Sequence, residues 1–321
     1  MTWCVRSAII TIFIGGNNTL LIDDREAIMY ELNQIGENSF YIESPAKIGL
    51  VRLNDEEVCL IDSGNDKDAG RKVRQILDKN SWRLTAIYNT HSNADHIGGN
   101  EYLQKQTGCK IYAPGIECDF TNHPLLEPSF LYGAFPPKEL RNKFIMAKGS
   151  LAELLTDTVM PEGMSSIELP GHFFDMVGFR SADDVVYLAD CLSSVETLNK
   201  YQIGFIYDVA TYLNTLEKVK QMSASVFVPA HAAVSKDVTE LADINIAKVH
   251  EIADRITELC EKPISSEKLL QKLFDSYGLV MDFSQYALVG STVRSYLTWL
   301  REEGRLTFCF ENNELLWSSV S

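Results

Sequence analysis

The sequence predicts an α/β layered domain followed by a small module of two helices and a β-hairpin. Three observations carry that expectation. Between residues 84 and 230, short runs rich in β-branched and aromatic residues alternate with helix-periodic stretches, the mark of sheets covered by helices. Residues 38–61 form a meander-like series of short apolar runs parted by polar turns. The last sixty residues change style, with two amphipathic helical patterns and then two short alternating strands. A chain of 321 residues allows one large domain or two unequal ones, and it buries enough surface to need no cross-link.

Taken in order, residues 1–28 carry Gly15-Gly16-Asn17-Asn18 and an acidic patch, and Met29 is an equally good start for a globular domain. This segment is either a strand-forming extension or a leader outside the fold. Strands are expected at 38–43, 48–53 and 58–61. A helix over 65–80 follows from the spacing of Ala69, Val73, Ile76 and Leu77. A strand at 84–88 leads into a histidine-rich loop, a helix from near Gly98 and a strand at 110–113. Residues 117–157 break this rhythm with Pro124, Pro128, Pro136 and Pro137, aromatic Phe130, Tyr132 and Phe135, and a helix-like pattern at 151–155. A long insertion of this kind is a lid, a binding loop or a cover for the sheet edge. Strands at 176–179, 185–190 and 226–231 complete a domain spanning 29–235.

A linking helix is expected over 236–260, ended by Pro263. In residues 261–321, Ser265-Ser266-Glu267 caps a helix reaching 274. A second helix over 291–303 closes on Gly304, and strands at 306–310 and 314–317 flank Asn312-Asn313. Helix, helix and hairpin in that order give the outline of a winged helix.

Composition narrows the class of function. Hydrophobic residues make up 45% and charged residues 23%, which excludes disordered, collagen-like and coiled-coil chains. The longest clean apolar run, residues 8–14, is far below the ~20 needed to span a bilayer, and it makes a poor export signal. The net charge of −15 repels phosphate backbones and anionic membranes at long range. Residues 261–321 hold six basic and eight acidic side chains, so Arg294, Arg301 and Arg305 form no basic footprint for nucleic acid. That module is expected to pack on the catalytic domain or to make a homodimer. Seven scattered cysteines without a Cys-x-x-Cys pair argue against a disulfide framework and for a reducing, cytoplasmic setting.

The chemistry is concentrated at strand ends. The loop Thr90-His91-Ser92-Asn93-Ala94-Asp95-His96-Ile97-Gly98-Gly99 offers three strong ligand side chains within six residues. Imidazole and carboxylate suit zinc, iron or manganese. His172 sits in the turn Leu169-Pro170-Gly171-His172, Asp190 ends an apolar strand, and His231 ends another. Asp62 ends a further strand, well placed to orient a ligand histidine. A lone histidine after a strand is more often a hydrogen-bonded loop residue, but five such stations in this order make a joint pattern.

That pattern resembles the metallo-β-lactamase superfamily, whose signature His-x-His-x-Asp-His is followed by separate His, Asp and His stations. The resemblance covers roughly residues 38–235. It implies a four-layer αββα sandwich with metals at one edge of the two sheets. It also implies a first metal site of His91, Asn93 and His172, and a second of Asp95, His96 and His231, with Asp190 bridging. Asn93 stands where the family has histidine. An amide oxygen is a weaker donor, so the second site is expected to fill first.

The resemblance implies hydrolysis of an ester, thioester, amide or phosphodiester by water activated at the metal, with Asp95 orienting that water and Asp190 holding the metals. A small-molecule ester or thioester leads, with Phe130, Tyr132 and Phe135 lining the pocket. A ribonuclease or phosphodiesterase, an iron-dependent redox enzyme and a non-catalytic metal-binding module are the alternatives.

Overall fold

The computed structural model describes residues 29–320, and the expectation for residues 1–28 lies outside them. Strands β2 (Ser39–Ile42), β3 (Ile48–Arg52) and β4 (Glu57–Ile61) form the expected meander, and an unexpected β1 (Leu32–Gln34) precedes them, each antiparallel to the next. Next, β5 (Arg83–Tyr88), β6 (Lys110–Ala113) and β7 (Ala152–Leu154) add in parallel, making a seven-stranded sheet in sequence order. Parallel neighbours require crossovers. Helix α1 (Lys67–Lys79) supplies the first, and α2 (Ala94–Ile97) with α3 (Asn100–Thr107) supplies the second.

A second sheet holds β8 (Ser165–Glu168), β9 (Val177–Arg180), β10 (Val185–Ser193) and β11 (Val226–His231), ordered β11-β10-β9-β8. Its parallel β10–β11 pair is joined through α6 (Val195–Tyr201) and α7 (Val209–Lys220), numbered after two helices of the insertion, α4 (Glu117–Asn122) and α5 (Leu126–Tyr132).

Period-two alternation sorts the apolar side chains into layers. In β4, Val58 and Leu60 pack outward on Val73 and Leu77 of α1, whereas Cys59 and Ile61 pack inward with Val185, Tyr187 and Val228 of the second sheet. In β10, Val186 and Leu188 turn outward onto Leu216 and Val219 of α7. The result is helices, sheet, sheet, helices, as the resemblance implied. Tyr187 joins the two sheets: its hydroxyl donates to the Phe40 carbonyl at 2.9 Å, and its ring lies where a side chain on Gly49 would stand only 2.7 Å away.

The tail contains α8 (Thr239–Leu259), α9 (Ser266–Tyr277), α10 (Phe283–Glu302), β12 (Leu306–Glu311) and β13 (Glu314–Ser319). Ile252 and Ile256 of α8, Leu273 of α9, and Tyr296 and Leu300 of α10 belong to the same apolar core as the outer face of the second sheet. The tail is therefore fused to the layered domain by its interior. Helix α10 begins at Phe283 rather than 291, because the Asp282 carboxylate caps it by accepting from the Gln285 amide at 2.8 Å.

Two further expectations are corrected. Residues 151–155 are not helical: Ala152 pairs with Ile111 in the edge strand β7, leaving Leu151 and Leu154 exposed, so their spacing only imitates a helical face. The insertion thus ends inside the first sheet. Asp190 does not end its strand, since β10 runs on to Ser193. The ladder with β11 slips after Tyr187, and Ala189 takes a left-handed φ of 49°. This irregularity re-aims the following side chains, leaving Cys191 in the outer core. Among the described residues, no helix is long and apolar enough to cross a membrane.

Candidate metal centre

The loop after β5, the turn before β9, the late part of β10 and the end of β11 meet at one edge of the sandwich. Their side chains fall into two groups whose donor atoms lie within 4.8 Å of one another: Asp95, His96, Asp190 and His231, and His91, His172 and Asp190. Asp190 is common to both. Its Oδ1 stands 2.9 Å from His96 Nε2, and its Oδ2 stands 3.1 Å from His231 Nε2 and 3.6 Å from His172 Nε2. Asp95 Oδ2 is 3.4 Å from His231 Nε2 and 3.9 Å from His96 Nε2.

Whether these groups fit a cation is answered by their unused valences. His91 Nε2, His96 Nε2 and Asp190 Oδ1 are buried without a hydrogen-bond partner. The short His96–Asp190 approach lacks hydrogen-bond geometry, which leaves both atoms free for a shared cation. The opposite ring nitrogens are committed. His96 Nδ1 lies 2.8 Å from Asp62 Oδ2, His91 Nδ1 lies 2.9 Å from Thr90 Oγ1, and His231 Nδ1 lies 3.0 Å from the Pro45 carbonyl. Orphaned buried polar atoms are costly, and an imidazole and carboxylate set of this kind fits a divalent cation.

Asp62 is buried at a left-handed φ of 62°, a conformation that costs a non-glycine residue about 1 kcal/mol or more and recurs at functional positions. It accepts from the Thr90 amide at 2.8 Å and the Thr90 hydroxyl at 2.7 Å besides facing His96. The hydroxyl that reaches Asp62 also meets His91, so one carboxylate steadies both histidines of the loop.

Electrostatics divides the groups. Burial alone would push His96 down, but the carboxylates of Asp190, Asp95 and Asp62 overcome it and hold its pKa well above the usual value. Burial likewise opposes the charged form of His231, yet Asp190 and Asp95 raise it to about 10. His91 goes the other way, lowered by burial and by neighbouring His96, and His172 is lowered mainly by burial. Asp95 and Asp190 are both held below the normal carboxylate range: burial opposes this, and His96 and His231 outweigh it.

Asn93 precedes α2, but its side chain does not cap the helix. Its Oδ1 faces His172 Nε2 at 3.1 Å, and its Nδ2 donates to Glu127 Oε1 at 2.8 Å. Glu127, on α5, was missed by sequence reasoning, as was Glu117 on α4. Glu117 accepts from the Ser92 amide and hydroxyl at 3.1 and 2.6 Å and from the Asp175 amide at 3.0 Å, tying the 91–96 loop to the 172–175 loop. Burial raises Glu117 to about 7 and Glu127 well above its ordinary value, against the hydrogen bonds each accepts. The only available signal was faint: acids standing beside apolar residues in a proline-broken segment.

The three aromatic candidates part company. Phe130 packs on Phe173 at 6.0 Å between ring centres, and Phe173 stands 6.5 Å from the His91 ring. Tyr132 instead meets Phe283 of α10, and Phe135 is 71% exposed beneath Arg141.

The family model of the metallo-beta-lactamase superfamily matches residues 42–231, more than half of the chain. Two hydroxyacylglutathione hydrolases are similar over shorter stretches. That of Bradyrhizobium sp. (strain ORS 278) is 32% identical over 132 residues, 40% of this chain and 41% of the relative. That of Rhodopseudomonas palustris (strain ATCC BAA-98 / CGA009) is 47% identical over 120 residues, 37% of this chain and 38% of the relative. The chain therefore spans less than half the length of these curated relatives. Two solved structures share the fold at low identity. A metallo-beta-lactamase family protein from Thermus thermophilus gives a TM-score of 0.66 at 16% identity, covering 90% of this chain and 97% of its own. A beta-lactamase domain protein from Burkholderia ambifaria gives 0.68 at 18%, covering 90% and 94%. With donor groups gathered where the two sheets meet and the family pattern running from β2 to the end of β11, the chain belongs to the metallo-beta-lactamase superfamily.

Proposed function

We propose that the protein is a metal-dependent hydrolase of small esters or thioesters. The observation that carries this reading is the convergence of unpartnered His91 Nε2, His96 Nε2 and Asp190 Oδ1 on one edge of the sandwich. His91, Asn93 and His172 would hold one cation, Asp95, His96 and His231 the other, and Asp190 both. Zinc suits the second group, whose donors are all imidazole or carboxylate, while the amide oxygen of Asn93 favours a harder ion such as manganese or iron in the first. A bound cation of this kind lowers the pKa of water toward neutrality and polarises a carbonyl.

The chain's own residues do the rest. Asp62 fixes the His96 ring. Asp95, the most open carboxylate of the set at 40% side-chain exposure, accepts a hydrogen bond from the attacking water and orients it. His231 stands beside it at the mouth, 24% exposed, with Nε2 turned to the donor set and Nδ1 held by the Pro45 carbonyl, and the proton released by the water passes to Asp95 and on to solvent. The choice of a thioester leans on the names of the similar hydroxyacylglutathione hydrolases. The test is a panel of thioesters, lactones and phosphodiesters given to metal-analysed protein. Asp190→Ala and His96→Ala should abolish hydrolysis with the circular dichroism unchanged, and full activity in either would overturn the proposal. Metal content should rise in Asn93→His, whereas two tightly held zinc ions in the unaltered protein would remove the weak-site argument.

A further inference from the structure

Residues 202–208 join α6 to α7 without helix or strand, yet they hold His172 at close range. The Tyr207 amide donates to the Gly171 and His172 carbonyls at 3.0 and 3.1 Å, and the Asp208 amide donates to the Gly171 carbonyl at 2.9 Å. The Phe205 ring stands at 84° to the His172 imidazole, with 5.5 Å between centres. The same segment is gripped by the tail. The Ile206 amide donates to Thr292 Oγ1 at 3.2 Å, and the Ser295 hydroxyl donates to the Tyr207 carbonyl at 2.6 Å. Thr292 gives its own proton to the Leu288 carbonyl at 3.2 Å, which leaves its oxygen to accept. Thr292 and Ser295 lie three residues apart on α10, the spacing that puts two side chains on one helical face. Packing around the segment is incomplete. A cavity of about 70 Å3 is lined by Phe205, Ile206, Val249, Ile252 and Tyr296 together with His172. Side chains that face a void forfeit contacts there, so the two hydrogen bonds carry more of the segment's position.

Resting on the paired-cation reading above, we infer that Thr292 and Ser295 are positioning residues for His172, which makes the tail a working part of one cation position. A ligand side chain has to be held to within about 0.5 Å and 10–20° of its working geometry. An irregular segment reaches that precision only when contacts remove its conformational freedom, and α10 supplies two of them. The Thr215 hydroxyl of α7 donates to the Pro170 carbonyl at 2.7 Å, which fixes the turn two residues before His172 and leaves His172 itself to residues 205–208. His96 and His231 are oriented instead through Asp62 and the Pro45 carbonyl. The grip of α10 therefore bears on the group of His91, Asn93 and His172 rather than on the group of Asp95, His96 and His231.

The experiment titrates metal-free, full-length protein with zinc against a chromophoric chelator and follows amide hydrogen exchange in parallel. His172→Ala marks the binding step that belongs to His172. Thr292→Val and Ser295→Ala should each weaken that step about fivefold, one net hydrogen bond. The pair should weaken it at least about tenfold, the lower end of what loss of an outer partner costs. The step of His96 and His231 should move by less than about threefold. In the metal-free pair variant, exchange at the Tyr207 and Asp208 amides should quicken. Thr292→Ser keeps the hydroxyl and should stay within about twofold of the unaltered protein, and Ser295→Ala alone serves should Thr292→Val fail to fold. Equal losses at both steps, an unchanged His172 step, or a loss without faster exchange at Tyr207 and Asp208 overturns the positioning role and leaves the hydrolase reading intact. Protein that binds no zinc, or a His172→Ala variant that loses no step, overturns the paired-cation reading as well.

Discussion

Glu127→Leu should weaken one cation position and leave the other intact. The Glu127 carboxyl is the acceptor that turns the Asn93 amide, taking its Nδ2 at 2.8 Å so that Oδ1 faces His172. Without that acceptor the amide has no reason to present oxygen rather than nitrogen, and it rotates between the two. Loss of an outer partner of this kind typically costs 10–100-fold in metal affinity, and that range is expected for the group of His91, Asn93 and His172. The group of Asp95, His96 and His231 keeps its orienting contacts with Asp62 and the Pro45 carbonyl, so its affinity should change less than about threefold. Folding should barely register the change. An unpaired Asn93 Nδ2 costs about 1–3 kcal/mol, but removal of a carboxyl group that burial already disfavours offsets it. Glu127→Gln keeps an acceptor oxygen and should restore affinity to within a few-fold. Competition with a chromophoric chelator, metal by metal, resolves the two steps. Equal losses at both steps, or Leu and Gln variants that behave alike, would refute the argument that Glu127 acts through the Asn93 amide.

Other perturbations reach different parts of the same edge. Asp62→Ala strands the Thr90 amide, the Thr90 hydroxyl and His96 Nδ1, so it should cost about 3–5 kcal/mol in denaturant unfolding and 10–100-fold in affinity at the His96 position. In metal-free protein, His231 and His96 have raised pKa values, so their ion pairs stabilise the fold fully below about pH 6.5. That stabilisation is lost as pH climbs through about 10, and metal-free Tm should fall between about pH 7 and 10. Saturating cation, which needs both imidazoles neutral, should flatten or reverse that slope, and an identical slope with and without cation would count against these ligands. Gly49→Ala places a methyl 2.7 Å from the Tyr187 ring and 2.9 Å from Ile61 Cβ and should destabilise by about 1–3 kcal/mol in denaturant unfolding, and an unchanged midpoint would refute the close packing of the two sheets there.

Most of the layered domain was legible because its signals are local. Strands β3, β4, β6 and β11 carry β-branched or aromatic runs between polar turns, and α1 shows an unbroken 3.6-residue period ending near Asn80. Where local pattern and tertiary pairing disagree, sequence reasoning fails. Leu151, Leu154 and Leu155 have helical spacing, yet the edge of the first sheet offers Ile111 as a partner and β7 forms. Strand β1 went unread because its three residues, Leu32–Gln34, show no alternation of their own and exist by pairing with β2. The donor residues stood out because imidazoles and acids after strands are rare, but their spatial grouping depends on a ladder irregularity at Ala189 that leaves no trace in composition. Glu117 and Glu127 were invisible for a related reason. An acid becomes an orienting group through what folds over it, and the segment covering these two has no regular period.

The contacts made by the insertion fall on one side of the paired groups. The side of Asp95, His96 and His231 is backed by Asp62 and by the Pro45 carbonyl. The side of His91 and His172 collects the Asn93 amide, Glu127 turning it, Glu117 tying Ser92 to Asp175, and Phe130 against Phe173. The cavity lined by Tyr296 is lined by His172 as well. Insertion and tail even meet there, with Tyr132 of α5 against Phe283 of α10 and Arg294 donating to the Leu131 carbonyl. Arg305 is paired with Asp254 and Arg301 lies over Phe308, so the tail's arginines are spent on holding it in place. If one cation position is generic and the other is built by the insertion and the tail, discrimination among metals and among substrates should travel together in variants. A change at Glu127 should then alter selectivity far more than it alters the chemistry at Asp190.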